Sequence, residues 1–131
     1  MTWLLDTNVV IHGIRSEPAS VRRRLQQVGP DEVRISSITV AELWYGAERS
    51  DDPARRRAVF HEFLKPYEVV PFDRRAGEHH GRLRHELRHQ PIGERDLLIA
   101  AIAVANGYTV VTSNTGEFRR VLGLGVEDWS R

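Results

Sequence analysis

Trp3-Leu4-Leu5-Asp6-Thr7-Asn8-Val9-Val10-Ile11 begins two residues into the chain. An apolar run that ends on an acid reads as a buried first strand delivering a carboxylate to the end of a parallel sheet. In open α/β sheets that edge is where ligands and metals are held. Two further acids, Glu42 and Asp96, recur downstream at the starts of expected helices.

The rest of the chain supports that first strand with partners. Short β-branched stretches predict strands at residues 2–6, 33–36, 68–70 and 109–112, with a weaker one around Val126. Between them, helical spacing covers residues 18–28, where Val21, Leu25 and Val28 share a face and Gly29-Pro30 marks the stop. Helices 39–49 and 53–65 follow as a pair, separated by the polar turn Ser50-Asp51-Asp52-Pro53. Another runs from Asp73 to His89, and a last one from Glu94 to Asn106, with Gly107 as its left-handed cap. Strands alternating with helices predict a parallel sheet covered on both faces. The expected fold is a three-layer α/β/α sandwich with a central, mainly parallel sheet, formed by one domain over residues 1–131.

Composition narrows the function classes. At 28% charged and 40% hydrophobic residues, the chain is an ordinary globular one and not a disordered one. Its longest apolar run, Leu97 to Ala105, is too short to cross a bilayer. The absence of cysteine excludes a disulfide framework, and the N-terminus has no signal-peptide pattern, so a cytoplasmic protein is expected. The net charge of +1 conceals a bias: Lys65 is the only lysine, and arginines cluster at 22–24, 55–57, 74–75 and 119–120. Arginine's planar fork suits phosphate, which makes a nucleic-acid substrate plausible, although any single cluster is better explained as a solvated helix face.

Each acid has a local alternative. Asp6 either enters the crevice beyond the sheet or, like Asn8, caps a following helix. Thr39-Val40-Ala41-Glu42 fits a capping box. Asp96 sits in a first helical turn, where the dipole favours acids. Together they say more. Three carboxylates at one sheet edge repel and have raised pKa values unless a cation neutralises them. Mg²⁺ suits such a site, being hard, oxygen-seeking and content with few carboxylates, and Mn²⁺ is possible too. A site of this kind can orient a water, lower its pKa and stabilise charge on a phosphodiester.

Four ordered stretches carry a family resemblance: Leu4 to Ile11, Ile38 to Ala47, Pro91 to Ala101, and Val111 to Phe118 with Arg120-Val121 and Gly123-Leu124. The set resembles the acidic motifs of PIN-domain ribonucleases, and most closely the VapC toxins of bacterial and archaeal toxin–antitoxin pairs. The resemblance implies an Mg²⁺-dependent endoribonuclease with Asp6, Glu42 and Asp96 as metal ligands. Hydrolysis by metal-activated water would leave a 5′-phosphate and a 3′-hydroxyl. Family members often carry a fourth acid where this chain has Asn114. Its amide can orient a ligand but adds no charge, leaving Glu117, one helical turn on, either to compensate or to lie on the surface. The resemblance further implies a helper role for the Thr112 hydroxyl and a role for Asn8 in orienting Asp6. It implies a homodimer and a small VapB-like antitoxin. For that partner, Leu43, Trp44, Tyr45, Phe60 and Phe63 form either a docking groove or part of the core.

Two other readings compete. The site lacking its fourth acid could serve a PIN-like module that binds RNA or a partner without cutting. His85-Glu86-Leu87-Arg88-His89 spells H-E-x-x-H, which on a helix would place two imidazoles one turn apart for zinc, as in a peptidase. The extended form of that motif fails, because Ile92 and Arg95 occupy the positions of its glycine and last histidine.

Overall fold

β1 (Trp3–Leu5) lies at the centre of a five-stranded sheet in the computed structural model, which describes Met1–Arg131. Its neighbours are β2 (Val33–Ser36) on one side and β4 (Thr109–Val111) on the other. β3 (Glu68–Val70) and β5 (Val126–Glu127) form the edges, giving the order β3-β2-β1-β4-β5. Every pairing is parallel, and Leu5 stands opposite both Ile35 and Val111. The expected three-layer α/β/α sandwich is the fold found.

Seven helices complete it: α1 (Thr7–Arg15), α2 (Ala19–Val28), α3 (Ser37–Glu48), α4 (Pro53–Leu64), α5 (Arg74–Glu86), α6 (Glu94–Asn106) and α7 (Thr115–Phe118). Two apolar clusters explain why the strands read as continuous hydrophobic runs and not as alternating ones. Leu4 packs with α5, α6 and α7 through Leu83, Ile99, Ile102 and Phe118. Its neighbour Leu5 points the opposite way, into a cluster with Val10, Val21, Leu43 and Phe60 from α1 to α4. A parallel sheet with both faces covered needs apolar side chains at every position. Helix α6 is buried around most of its circumference, at Leu97, Ile99 to Ala103 and Ala105, so no polar stripe marks it as a surface helix. It ends as expected on Gly107, whose φ of 71° is the left-handed conformation.

Two local expectations are corrected and one open choice is resolved: Asp6 does cap a helix, and Val9-Val10-Ile11 lie within it. Asp6 accepts the Val9 amide at 2.9 Å, and this cap starts α1 immediately after β1. Helix α3 begins two residues before position 39, because buried Ser36 is its cap and accepts the Thr39 amide at 3.1 Å. Glu42 therefore closes no capping box. Helix α5 stops at Glu86 and not at His89, with Leu87 as its C-terminal cap.

One tie on the far side of β1 was not visible in the sequence. Glu127 on β5 accepts the indole N–H groups of Trp3 and Trp129, each at 3.1 Å, and pairs with Arg24 of α2 at 3.3 Å. The Arg24 guanidinium stands 5.0 Å over the Trp129 ring, and the two indoles meet edge to face at 5.8 Å. No helix is long and apolar enough to cross a membrane.

Candidate active site

Strand order reverses direction at β1: the chain moves outward through β2 and β3, then returns to place β4 on the other side. Such a switch point opens a crevice beyond the carboxyl ends of the strands. Asp6, the first residue after β1, faces Thr112, the first after β4, across it. The Asp6 amide donates to the Val111 carbonyl at 3.0 Å, extending the ladder by one residue. Asp6 is only 4% exposed, and both of its carboxylate oxygens are engaged. Oδ1 takes the Val9 amide, and Oδ2 takes the hydroxyl of fully buried Thr112 at 2.5 Å. The same hydroxyl accepts the Asn114 amide at 2.9 Å, tying the loop after β4 to the acid.

Helices α3 and α6 supply the other acids. Helix α6 leads back into β4, so it runs against the strands and its first turn lies at the same sheet edge. Asp96 stands in that turn, and the Asn114 side-chain amide donates to its Oδ2 at 3.1 Å. The same side-chain amide also donates to Glu117 of α7. Glu42 is held by the Thr7 hydroxyl at 2.6 Å, and Thr7 in turn meets the Thr39 hydroxyl at 3.1 Å. Arg95 of α6 reaches the second Glu42 oxygen at 3.6 Å. A shallow pocket at this edge is lined by Glu42, Gly93, Glu94, Arg95 and Asp96.

Electrostatics links the acids pairwise. Burial raises the Asp6 carboxyl above its ordinary value, against the lowering effect of the Thr112 and Val9 bonds, and the nearby Asp96 charge raises it further. Asp96 is also raised, chiefly by burial, against the Asn114 bond and with help from the charges of Glu117 and Glu42. Asp96 is thus the shared neighbour of the group. The acids occupy one edge, but no three of them close into a chelating cluster. Their local bonds account for this separation: Thr7 and Arg95 draw Glu42 one way, while Asn114 draws Asp96 toward Glu117. The groups there able to ligate a metal do so through oxygen, chiefly the carboxylates of Asp6, Glu42, Asp96 and Glu117. Oxygen donors with excess negative charge fit a hard divalent cation and not a soft one.

Other expected residues lie elsewhere. Asn8 is exposed and makes no bond to Asp6, because the second position of α1 turns its side chain outward while Val9 and Thr112 hold the acid. His85 is on α5 but His89 lies past its end, so the imidazoles do not share a helix face. Glu86 is paired with Arg82 at 3.0 Å. The zinc-peptidase arrangement is absent. Of the aromatic and apolar set on α3 and α4, Leu43 and Phe60 are core, Trp44 and Phe63 are half-buried, and Tyr45 is 60% exposed. Thr7 and Arg95 were not singled out from the sequence. The signal for Thr7 was its place directly after the strand-ending acid, one residue inside the helix that the acid caps.

Comparison with known proteins finds a matching family and full-length relatives. The family model described as PIN domain matches residues 3–124. The tRNA(fMet)-specific endonuclease VapC of Shigella flexneri is 44% identical, with 99% of both chains covered. Ribonuclease VapC2 of Haemophilus influenzae is 40% identical, with 98% of each chain covered. Among solved structures, the DNA-bound VapBC of Salmonella typhimurium superposes with a TM-score of 0.91 at 40% identity over 98% of both chains. VapBC2 from Rickettsia felis, bound to a DNA fragment from its promoter, superposes with a TM-score of 0.90 at 34% identity, over 98% of this chain and 99% of that one.

Proposed function

The chain belongs to the PIN domain family, and from that premise we propose that it is an Mg²⁺-dependent endoribonuclease serving as the toxin of a toxin–antitoxin pair. The observation that carries the reading is the buried Asp6 carboxylate facing Asp96 at the β1/β4 switch point, in surroundings that offer only oxygen donors. Residues 1–131 act as one domain, in the cytoplasm.

Asp6, Asp96 and Glu42 would hold the cation, Mg²⁺ or alternatively Mn²⁺. When bound, it supplies charge neutralisation at the phosphodiester and a water of lowered pKa. The chain's own residues do the positioning. Thr112 and the Val9 amide keep the Asp6 oxygens in one orientation, Asn114 steadies Asp96, and Thr7 steadies Glu42. Glu117, drawn in by Asn114, adds the negative charge that Asn114 itself lacks. Water attack would leave a 5′-phosphate and a 3′-hydroxyl without using the 2′-hydroxyl. RNA preference then comes from shape and backbone contacts.

Relatives named VapC are called ribonucleases, and that of Shigella flexneri is named for tRNA(fMet), which makes tRNA(fMet) the first substrate to offer. Solved neighbours are VapBC complexes, which supports a small VapB-like antitoxin for this chain and, as in the family, a homodimer. Exposed Tyr45 and half-buried Trp44 and Phe63 on α3 and α4 are the side chains on which it would dock.

The test is to incubate purified protein with tRNA(fMet) and an elongator tRNA, with Mg²⁺ or with chelator, and to map the new ends. Cleavage that needs the cation, leaves 5′-phosphates and is lost in D6N is expected. Intact RNA, or 2′,3′-cyclic phosphate ends, would refute it.

A further inference from the structure

Of the acids Asp6, Glu42, Asp96 and Glu117, only Glu42 has a cationic partner, Arg95, at 3.6 Å. Arg95 is a poor residue for a merely structural role at this position. It stands in the first turn of α6, at the positive end of the helix dipole, where a cation is disfavoured. Its side chain is 70% exposed, and none of its N–H groups makes a hydrogen bond within the protein. The contact with Glu42 is long and uses one nitrogen, so the fork keeps its other donors free at the mouth of the pocket. A guanidinium with free paired donors is suited to a phosphate.

We propose that Arg95 is a substrate-contacting residue held in reserve: it pairs with Glu42 while the site lacks a cation, and binds an RNA backbone phosphate when Glu42 is withdrawn to the cation. This deepens the nuclease reading and rests on it for the identity of the substrate. The two partners of Glu42 then divide their roles. Half-buried Thr7 keeps one carboxylate oxygen in place throughout, and Arg95 guards the other only until a stronger cation arrives. Arg95 and the cation compete for one carboxylate, while Arg95 and the cation cooperate on RNA.

The consequence is a pair of effects of opposite sign. Loss of an exposed ion pair of this kind is worth roughly 1.5- to 5-fold in an equilibrium constant. R95A should therefore bind Mn²⁺, followed by electron paramagnetic resonance, about 1.5- to 5-fold more tightly than wild type. K65A, which removes a cation beyond the opposite end of the sheet, serves as control and should leave Mn²⁺ affinity unchanged. RNA binding is read separately, in chelator, where nothing is cut, with a short single-stranded oligoribonucleotide. E42Q frees Arg95 and should bind this probe more tightly, with a steeper salt dependence by about 0.7 in the log–log slope for one added phosphate contact. In E42Q/R95A that steepening should vanish. E42Q/R95K should keep the added slope, because the charge remains, but bind less tightly because a lysine lacks the fork.

Unchanged or weakened Mn²⁺ binding in R95A would overturn the proposal. So would an E42Q gain that survives in E42Q/R95A. Because neither readout involves cleavage, a wild-type protein that leaves RNA intact would count against the nuclease reading alone.

Discussion

Thr112→Val tests whether the hydroxyl between β4 and Asp6 holds the acid in place. Valine fills nearly the same volume, so no cavity forms and the loss is that of the polar contacts. Thr112 is fully buried and donates to an ionised carboxylate at 2.5 Å while accepting the Asn114 amide at 2.9 Å. A hydrogen bond to a charged group is worth about 1.5–3 kcal/mol, and the backbone amide of Asn114, an exposed residue, recovers its bond from water at little cost. The expected loss is about 2–3 kcal/mol at neutral pH, or a fall in Tm of about 6–15 °C for a domain of this size. Thr112→Ser keeps the hydroxyl and should retain most of that stability.

The pH dependence has a definite sign. Asp6 titrates above its ordinary 3.8 in the folded protein, because burial outweighs its hydrogen bonds, and removing the Thr112 bond raises it further. An ionised Asp6 then costs stability, absent well below 3.8 and present in full above the folded-state value. The T112V deficit should accordingly be largest near neutrality and shrink on acidification. Urea unfolding at about pH 8 and about pH 5 reads this directly. In the same variant, the acid limb of RNA cleavage should move to higher pH. A deficit under about 0.5 kcal/mol at neutral pH, or one that grows in acid, would refute the argument.

Asp96→Asn removes a half-buried charge crowded by Glu117 and Glu42. The metal-free variant should melt no lower than wild type, while the rise in Tm expected of wild type on adding Mg²⁺ should be absent; a thermal-shift titration compares the two. Glu127→Ala strands two indole N–H groups and Arg24, and should cost about 1–2 kcal/mol in urea unfolding at neutral pH. Although burial opposes it, bonding to Trp129, Trp3 and Arg24 holds the Glu127 carboxyl below 4.5. That stabilisation is present above 4.5 and is lost as pH falls through the folded-state value, so the E127A deficit should close in acid. His85→Ala with His89→Ala should leave RNA cleavage within about twofold of wild type, since both side chains are exposed and share no helix face. A larger drop would reopen a role for that segment.

Much of the architecture was legible because it is local. Gly107 after an apolar helical run is a stop signal, and helix Glu94–Asn106 ends there. Strands 33–36 and 68–70 are β-branched and bounded by turn residues, and they form with those limits. Helix α1 was legible only as the helix that Asp6 or Asn8 would cap, and the cap from Asp6 starts it despite the strand preference of Val9-Val10-Ile11. Past Glu86, the H-E-x-x-H letters looked like chemistry only while the helix was assumed to continue.

Residue order alone determined the alternation of strands and helices, and hence the sheet edge to which Asp6, Glu42 and Asp96 all belong, since hydrophobic periodicity and caps act over a few neighbours. It could not determine how the acids are held at that edge. That Thr112 and not Asn8 orients Asp6, that Thr7 and Arg95 hold Glu42, and that Trp3 and Arg24 converge on Glu127 depend on pairings between residues tens of positions apart. Such contacts exist only once the parallel sheet has set its register, and no local propensity encodes them.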